Sequence, residues 1–255
     1  MLYNLKLGIM QPYFFPYLGY FQLISSVDKF IIHDNVNFIK KGWINRNRLL
    51  QSGGGPIFII VPVVNKSSYC KIRDIKIDRT KEWNKNMIKT IEYNYKKSAY
   101  YNDIFPVIER LLRLEMDNIS ELNYVTIKEL CDYLEIDTLI ENNISKYNSI
   151  ESELEYMCIY NRNSENEPID RTTLRIIKIC DKEKADTYIN SIGGQELYRK
   201  QVFEDNGVDL KFINTLGYDY AQNSSSFYPH LSIIDVLMNC GKEGTQKLLY
   251  NYELI

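Results

Sequence analysis

"LGIMQPYFFPYLGYFQLI", residues 7–24, decides how this chain is read. A short apolar run over residues 5–10 predicts a buried strand, and an apolar run from Gly19 to Ser26 predicts a helix. Between them lies a bend carrying Pro12, Pro16 and most of the six aromatic rings in the stretch. Strand, bend and helix make the opening of an α/β unit. The bend is expected to form the floor of a site. Gln11 and Tyr17 would then face a ligand, and Phe14 and Phe15 would pack beneath.

Working outward, residues 29–34 (KFIIHD) predict a second strand that ends in polar residues. Residues 43–50 and 57–64 predict a hairpin around Ser52-Gly53-Gly54-Gly55, and the alternation over 71–77 predicts a further strand. From Lys81 to about Leu134 the apolar spacing becomes helical, with Ser120 the expected N-cap of its last helix. Residues 137–142 predict a strand, and the polar text at 161–168 a surface loop. The end returns to alternation: a helix over 173–185, the strand 187–190, a Gly-led helix closing on Gly207, and the strand 210–214. In the last helix Ser232 and Asp235 have capping-box spacing, and Gly241 stands where a left-handed C-terminal residue belongs. Strands separated by helices at both ends predict one composite α/β domain over residues 1–255, with a helical insertion at about 80–135.

The totals narrow the function classes. The 255 residues carry a net charge of -2, so no global field recruits nucleic acid or anionic lipid. Five scattered cysteines without a CxxC form no closed disulfide framework. No cationic start with a following apolar stretch marks a signal peptide, and no apolar run reaches membrane-span length. A reducing cytoplasm is the expected setting. Tyrosine is in excess, 21 against 2 histidines, but in a Lys-, Asn- and Ile-rich text that excess says little about function.

Several familiar devices are absent: GxSxG, a P-loop, GxGxxG and HExxH. His33 and His230 stand without metal-ligand spacing, so no dedicated metal site is expected. The densest polar text is "HDNVNFIKKGWINRNR", residues 33–48. An extended segment would put Trp43, Asn45 and Asn47 on one face and Ile44, Arg46 and Arg48 on the other. Amides beside an indole suit a sugar or a base, and planar guanidinium forks suit phosphate or carboxylate. The bland alternative is a solvated hairpin, but two asparagines in a strand call for a reason. Asp34 ends a strand, where α/β sheets present catalytic groups. It could orient an amine or act as a general base, or simply close a turn on its own backbone; alternation points His33 to the opposite face. Gly193-Gly194, between a strand and a helix, either aims free N–H groups at an anion or makes a tight turn. Tyr220, Gln222 and residues 227–229 form a second aromatic and amide patch, or a loop packed on the sheet.

These stretches together resemble the WbqC-like family of bacterial proteins. The likeness runs through "MQPYFFPYLGYFQLI", "DNVNFIKKGWINRNR", "VPV", "GGQELY", "YAQ" and "FYPHLSIIDVLMNCG", and mainly spares the helical middle. The chain departs at Asn35, where a tyrosine or second aspartate beside Asp34 is expected. A further likeness links the strand, the Pro-bearing loop and "YLGY" to the first strand–loop–helix of class I nucleotidyltransferases such as pantothenate synthetase. There an HxGH motif holds the triphosphate; here Tyr17 and Tyr20 flank Gly19 in the histidine places. Tyrosine donates hydrogen bonds but carries no cation at neutral pH. The likeness therefore implies a Rossmann-like, class I nucleotidyltransferase-like sheet rather than ATP-driven adenylyl transfer.

The family resemblance implies work on surface glycans such as O-antigen. The expected activity is transfer of an acyl or aminoacyl group to the nitrogen of a dTDP- or UDP-linked amino sugar. No bound cofactor is expected; acyl-CoA or an acyl carrier protein would supply the donor. Asp34 would take the ammonium proton, and Gln11, Asn45 or Asn47 would bond the developing oxyanion, worth about 3 kcal/mol per donor. Arg46, Arg48, Gly193 and Gly194 would hold phosphates, with Trp43, Tyr17, Tyr20, Tyr198, Tyr220 and Gln222 completing the substrate contacts. The alternatives are a nucleotidyl- or glycosyl-transfer enzyme on the same sugar nucleotides, and a non-catalytic glycan-assembly protein.

Overall fold

The computed structural model describes residues 4–64, 67–160, 169–217 and 219–255. Residues 161–168, expected to form a surface loop, lie outside the described residues. The core is a six-stranded sheet built from β1 (Leu5–Met10), β2 (Lys29–Ile32), β5 (Leu139–Glu141), β6 (Ala185–Ser191), β7 (Asp209–Thr215) and β8 (Tyr252–Leu254). Its order is β5-β2-β1-β6-β7-β8. Every pairing is parallel except the last, where β8 runs antiparallel to β7. From β1 the sheet grows one way through β2 and β5 and the other way through β6 and β7, so the order reverses between β1 and β6. This is a Rossmann-like α/β fold.

Strand alternation sorts the side chains into two cores. Leu7, Ile9, Ile31, Tyr188, Leu210 and Phe212 point to one face. That face is covered by α5 (Asn148–Tyr160), α6 (Arg171–Glu183) and α7 (Lys200–Glu204). Phe30, Ile32, Ile189 and Ile213 point to the other face, beneath α1 (Leu18–Ser25) and α8 (Ile233–Leu249). The chain between β2 and β5 leaves the sheet. It forms the hairpin of β3 (Arg46–Leu50) and β4 (Pro56–Ile60), then α2 (Trp83–Tyr95), α3 (Tyr101–Leu112) and α4 (Ile119–Tyr133). These elements extend the second core. The hairpin turn places Gly53, Gly54 and Gly55 in succession at positive φ, a run of conformations that side chains disfavour.

Several expectations give way to local geometry. Residues 71–77 bury Ile72, Ile75 and Ile77 but form no ladder: Ile72–Asp74 is a 3-10 turn, and Lys71, Lys76 and Ile77 make isolated bridges. Asn118, not Ser120, caps α4, its side chain accepting from the Ser120 and Glu121 N–H groups. The Gly-led helix is a 3-10 turn over Ile192–Glu196 followed by the five residues of α7. Ser232 does cap α8, but Asp235 does not close a capping box. Its carboxylate accepts from the Tyr95 and Tyr220 hydroxyls and from the Gln222 amide. Gly241 has the expected positive φ but kinks α8 rather than ending it. Strand β8 follows, where no strand was expected.

Away from the carboxyl ends of the strands, Glu183 of α6 ties three segments together. It accepts from Lys29 of β2 at 2.7 Å, from Lys146 at 2.7 Å and from the Tyr147 hydroxyl. Burial alone would push this carboxyl up, but the donors from Lys146, Lys29 and Tyr147 together hold it down at about 2. A carboxyl lowered on folding adds stability above its unfolded pKa of about 4.5 and loses it as pH falls toward 2. Urea unfolding of Glu183→Gln should therefore show lower stability at pH 7 and a flatter acid limb between pH 4.5 and 2. An acid limb identical to the parent protein's would contradict this.

Candidate functional site

The bend over residues 11–17 has no regular partner, and its backbone is buried, so its acceptors need side-chain donors. Asn47 Nδ2 donates to the Phe14 carbonyl at 3.0 Å and the Phe15 carbonyl at 2.7 Å. Ser232 Oγ donates to the Phe15 carbonyl at 2.8 Å, and Asn123 Nδ2 to the Pro12 carbonyl at 3.0 Å. The Tyr20 hydroxyl takes the Gln11 carbonyl at 2.9 Å. Backbone bonds from Ile233 N to Pro16 O and from Phe14 N to Trp43 O complete the clamp. Phe15 is held at φ 40°, a conformation rare for an aromatic residue. Phe14 and Phe15 are buried beneath, as their ring positions imply.

Two cavities open beside this bend at the carboxyl ends of the strands, where open α/β sheets bind ligands at the reversal of strand order. Lobe one, about 360 Å³, lies toward β6, β7 and the start of α1; Tyr17, Trp43, Arg48, Thr215 and His230 line it. Lobe two, also about 360 Å³, lies toward β1, β2 and α6; its polar lining includes Gln11, His33, Arg175, Asn190 and Tyr198. Tyr13 and Ser191 line both and form their common border.

The lobes differ in charge. In lobe one the Arg48 Nε is buried without a partner, while its Nη2 donates to the His230 carbonyl at 3.3 Å. The guanidinium centre lies 5.4 Å from the Trp43 ring. The His230 ring meets the Tyr17 ring edge-on at 5.9 Å. Burial, with Arg48 adding to it, lowers the His230 pKa. Helix α1 starts here with no side-chain cap and no acidic residue in its first turn. Gly19 is needed at this start, because a Cβ would come within 2.6 Å of the Tyr17 ring. In lobe two, by contrast, Arg175 is paired with Glu151. His33 is buried, and burial followed by Arg175 pushes its pKa down to about 4. The imidazole is therefore neutral at pH 7.

Of the residues expected at a site, Tyr17, Trp43, Asn47 and Arg48 line lobe one, and Gln11, Gly193, Gly194 and Tyr198 line lobe two. Asn47 lines the cavity, but its amide is committed to the bend, and its Oδ1 accepts from Arg48 N at 2.8 Å. The remaining expected residues line neither lobe. Asn45 donates to the Val61 carbonyl at 2.8 Å, holding the hairpin rather than an oxyanion. Arg46 reaches back to the Gly42 and Lys41 carbonyls and covers the Phe58 ring. Tyr20 is buried with its hydroxyl on the Gln11 carbonyl, so it does not stand where a second phosphate-binding histidine would. Tyr220 and Gln222 close around Asp235. Asp34 accepts from Ser120 Oγ at 2.7 Å, on the α4 side of the sheet. Burial raises its pKa and that hydrogen bond opposes the rise. The alternation that separates Asp34 from His33 is as expected, but it is His33 that faces a cavity.

Gly193 and Gly194 have neither positive φ nor a long helix behind them. Gly194 is required because a Cβ would sit 2.8 Å from the Asn190 amide, whereas a Cβ on Gly193 would meet nothing within 4 Å. Residue-by-residue reading missed Tyr13, Arg175, Asn190 and Ser191. The signal for Asn190 and Ser191 was their place at the carboxyl end of a strand, and for Tyr13 its place in the opening bend. Among the described residues no three His, Cys, Asp or Glu side chains gather as a metal site. No helix among them is long and apolar enough to cross a membrane.

The model of the WbqC-like protein family matches residues 11–247. The chain belongs to that family. It is similar to the uncharacterized protein Rv1507c of Mycobacterium tuberculosis (strain ATCC 25618 / H37Rv), with 32% identity over 248 residues covering 96% of this chain and 98% of the relative. No solved structure matches the chain. The matched span of this WbqC-like protein runs from Gln11, at the start of the bend, almost to the end of α8.

The clamp and the cavity can be separated by mutation. Asn47→Ala leaves the buried Phe14 carbonyl without its side-chain donor and the Phe15 carbonyl with Ser232 alone, and should cost about 2 kcal/mol in urea unfolding. Arg48→Ala should leave the unfolding midpoint nearly unchanged while weakening binding of inorganic pyrophosphate measured by calorimetry. Equal stability losses in the two variants would contradict the division.

Proposed function

We propose that this WbqC-like protein is a transferase that moves an acyl or aminoacyl group onto the amino group of a nucleotide-linked sugar in surface-glycan assembly. One observation carries the reading: a cleft at the strand-order reversal is divided into a lobe with an unpaired arginine donor and a lobe without net charge. A sugar nucleotide has the matching division, with anionic phosphates beside an uncharged nucleobase. Arg48 offers the phosphates a planar donor, and the Trp43 ring offers a pyranose an apolar wall. The donor would be acyl-CoA or an acyl carrier protein.

In this reading the free amine attacks the donor carbonyl directly. A C–N bond forms, the C–S bond of the thioester breaks, and the amine proton passes to a base while the thiol leaves. Asp34 is engaged by Ser120 outside both lobes. The base role therefore passes to His230, which lines lobe one and whose lowered pKa keeps it neutral and able to accept a proton. A second reading is nucleotidyl transfer on the same substrates, favoured by the uncapped α1 start beside Arg48, a position suited to phosphate.

The test is a mass measurement after incubating dTDP- and UDP-amino sugars with acyl-CoA and acyl-carrier-protein donors. The account expects an acylated sugar nucleotide and free thiol. Release of nucleoside diphosphate or pyrophosphate would support the second reading, and no product from any pairing would remove both. His230→Asn should lower turnover about 100-fold, whereas Asp34→Asn should stay close to wild type. The reverse order would return the base role to Asp34.

A further inference from the structure

His33 and His230 are the chain's two histidines, and each lines one lobe. His33 is 5% exposed, and neither ring nitrogen has a hydrogen-bond partner. A neutral imidazole offers one N–H to donate and one nitrogen to accept. Leaving such buried groups unmet costs about 1–3 kcal/mol each, which a bound ligand can relieve.

The surroundings define that ligand. The walls of lobe two are apolar (Ile9, Val36, Ile39 and Ile176), and the ring of Tyr198 adds an aromatic surface. Its polar lining includes the neutral amides of Gln11 and Asn190, and its arginine, Arg175, is already neutralised by Glu151. An anion would lose its water here without gaining a net positive charge. A bare acyl chain would offer no hydrogen-bond partner to the His33 imidazole that lines the lobe. An uncharged heterocycle with N–H and C=O groups along its edge satisfies both conditions, and a volume of about 360 Å³ accommodates such a ring with its ribose.

We propose that lobe two is the nucleobase subsite of the cleft, with His33 reading the base's hydrogen-bonding edge while the phosphates cross the Tyr13–Ser191 border toward Arg48. This inference rests on the sugar-nucleotide reading above and fixes the direction in which the substrate lies.

The two histidines report on the two lobes separately. Two-bond nitrogen–proton spectra of the full chain labelled with 15N-histidine contain two imidazole systems, and the His33→Phe variant assigns them. The probes are the five common nucleosides, their diphosphates and inorganic pyrophosphate. At least one nucleoside should move the His33 signals alone, pyrophosphate should move His230 alone, and the matching diphosphate should move both. A diphosphate that moves His230 and leaves His33 in place would overturn the subsite while leaving the sugar-nucleotide reading intact. Movement of His33 by pyrophosphate would also overturn the subsite. No response to any diphosphate would end both. His33→Phe should weaken the matching diphosphate about tenfold, leave pyrophosphate affinity unchanged and raise the thermal midpoint, because two unmet polar atoms are removed. A merely structural histidine would instead lower the midpoint and leave nucleotide affinity unchanged.

Discussion

The structure depends on how the bend after β1 satisfies its backbone. Residues 11–17 cross from strand to helix beneath a wall of rings, where a carbonyl without a donor would be costly. The donors come from far along the chain: Asn47 from the hairpin, Asn123 from α4 and Ser232 from the cap of α8. Each was selected by the bend and in turn fixes the element it comes from. The same contacts hold Tyr13 and Tyr17 at the cleft and hold Phe15 in its left-handed conformation. Ring burial supplies the driving force, and the amides and hydroxyls supply uniqueness.

That clamp lies where the parallel sheet reverses its order, so the cleft is a consequence of topology and the bend decides its shape. The hairpin brings Arg48 and Trp43 over one side, and α6 brings Arg175 over the other. The two arginines have opposite fates. Arg175 is answered by Glu151, while the Arg48 Nε has no protein partner. One cleft thereby acquires a charged end and a neutral end.

The fold was largely legible because buried strands and amphipathic helices announce themselves through periodicity. The strand–bend–helix opening, the helical middle and strands β6 and β7 were read from apolar spacing alone, while β8 was not. The site was legible in part. Asn45 and Asn47 were singled out because asparagine in a strand needs a reason, but the reason is internal: one serves the Val61 carbonyl and the other the bend. Likewise Tyr220 and Gln222 were read as a ligand-facing patch and Asp235 as half of a capping box, yet the three form a buried lock. Sequence shows which residues carry polar groups but not which backbone carbonyls lack donors. That depends on tertiary contacts such as the bond from Asn123 to the Pro12 carbonyl, made across a sequence separation of 111. The same limit put Asp34 forward over His33. Alternation assigns them to opposite faces, and only the packing of α4 against one face decides which is filled.

A crystal structure of the protein soaked with thymidine diphosphate tests the central claim most directly. The account predicts difference density along the carboxyl edge of the sheet, passing the Tyr13–Ser191 border with phosphate oxygens near Arg48. Density bound elsewhere on the molecule, or a fully occupied ligand that touches neither lobe, would contradict it.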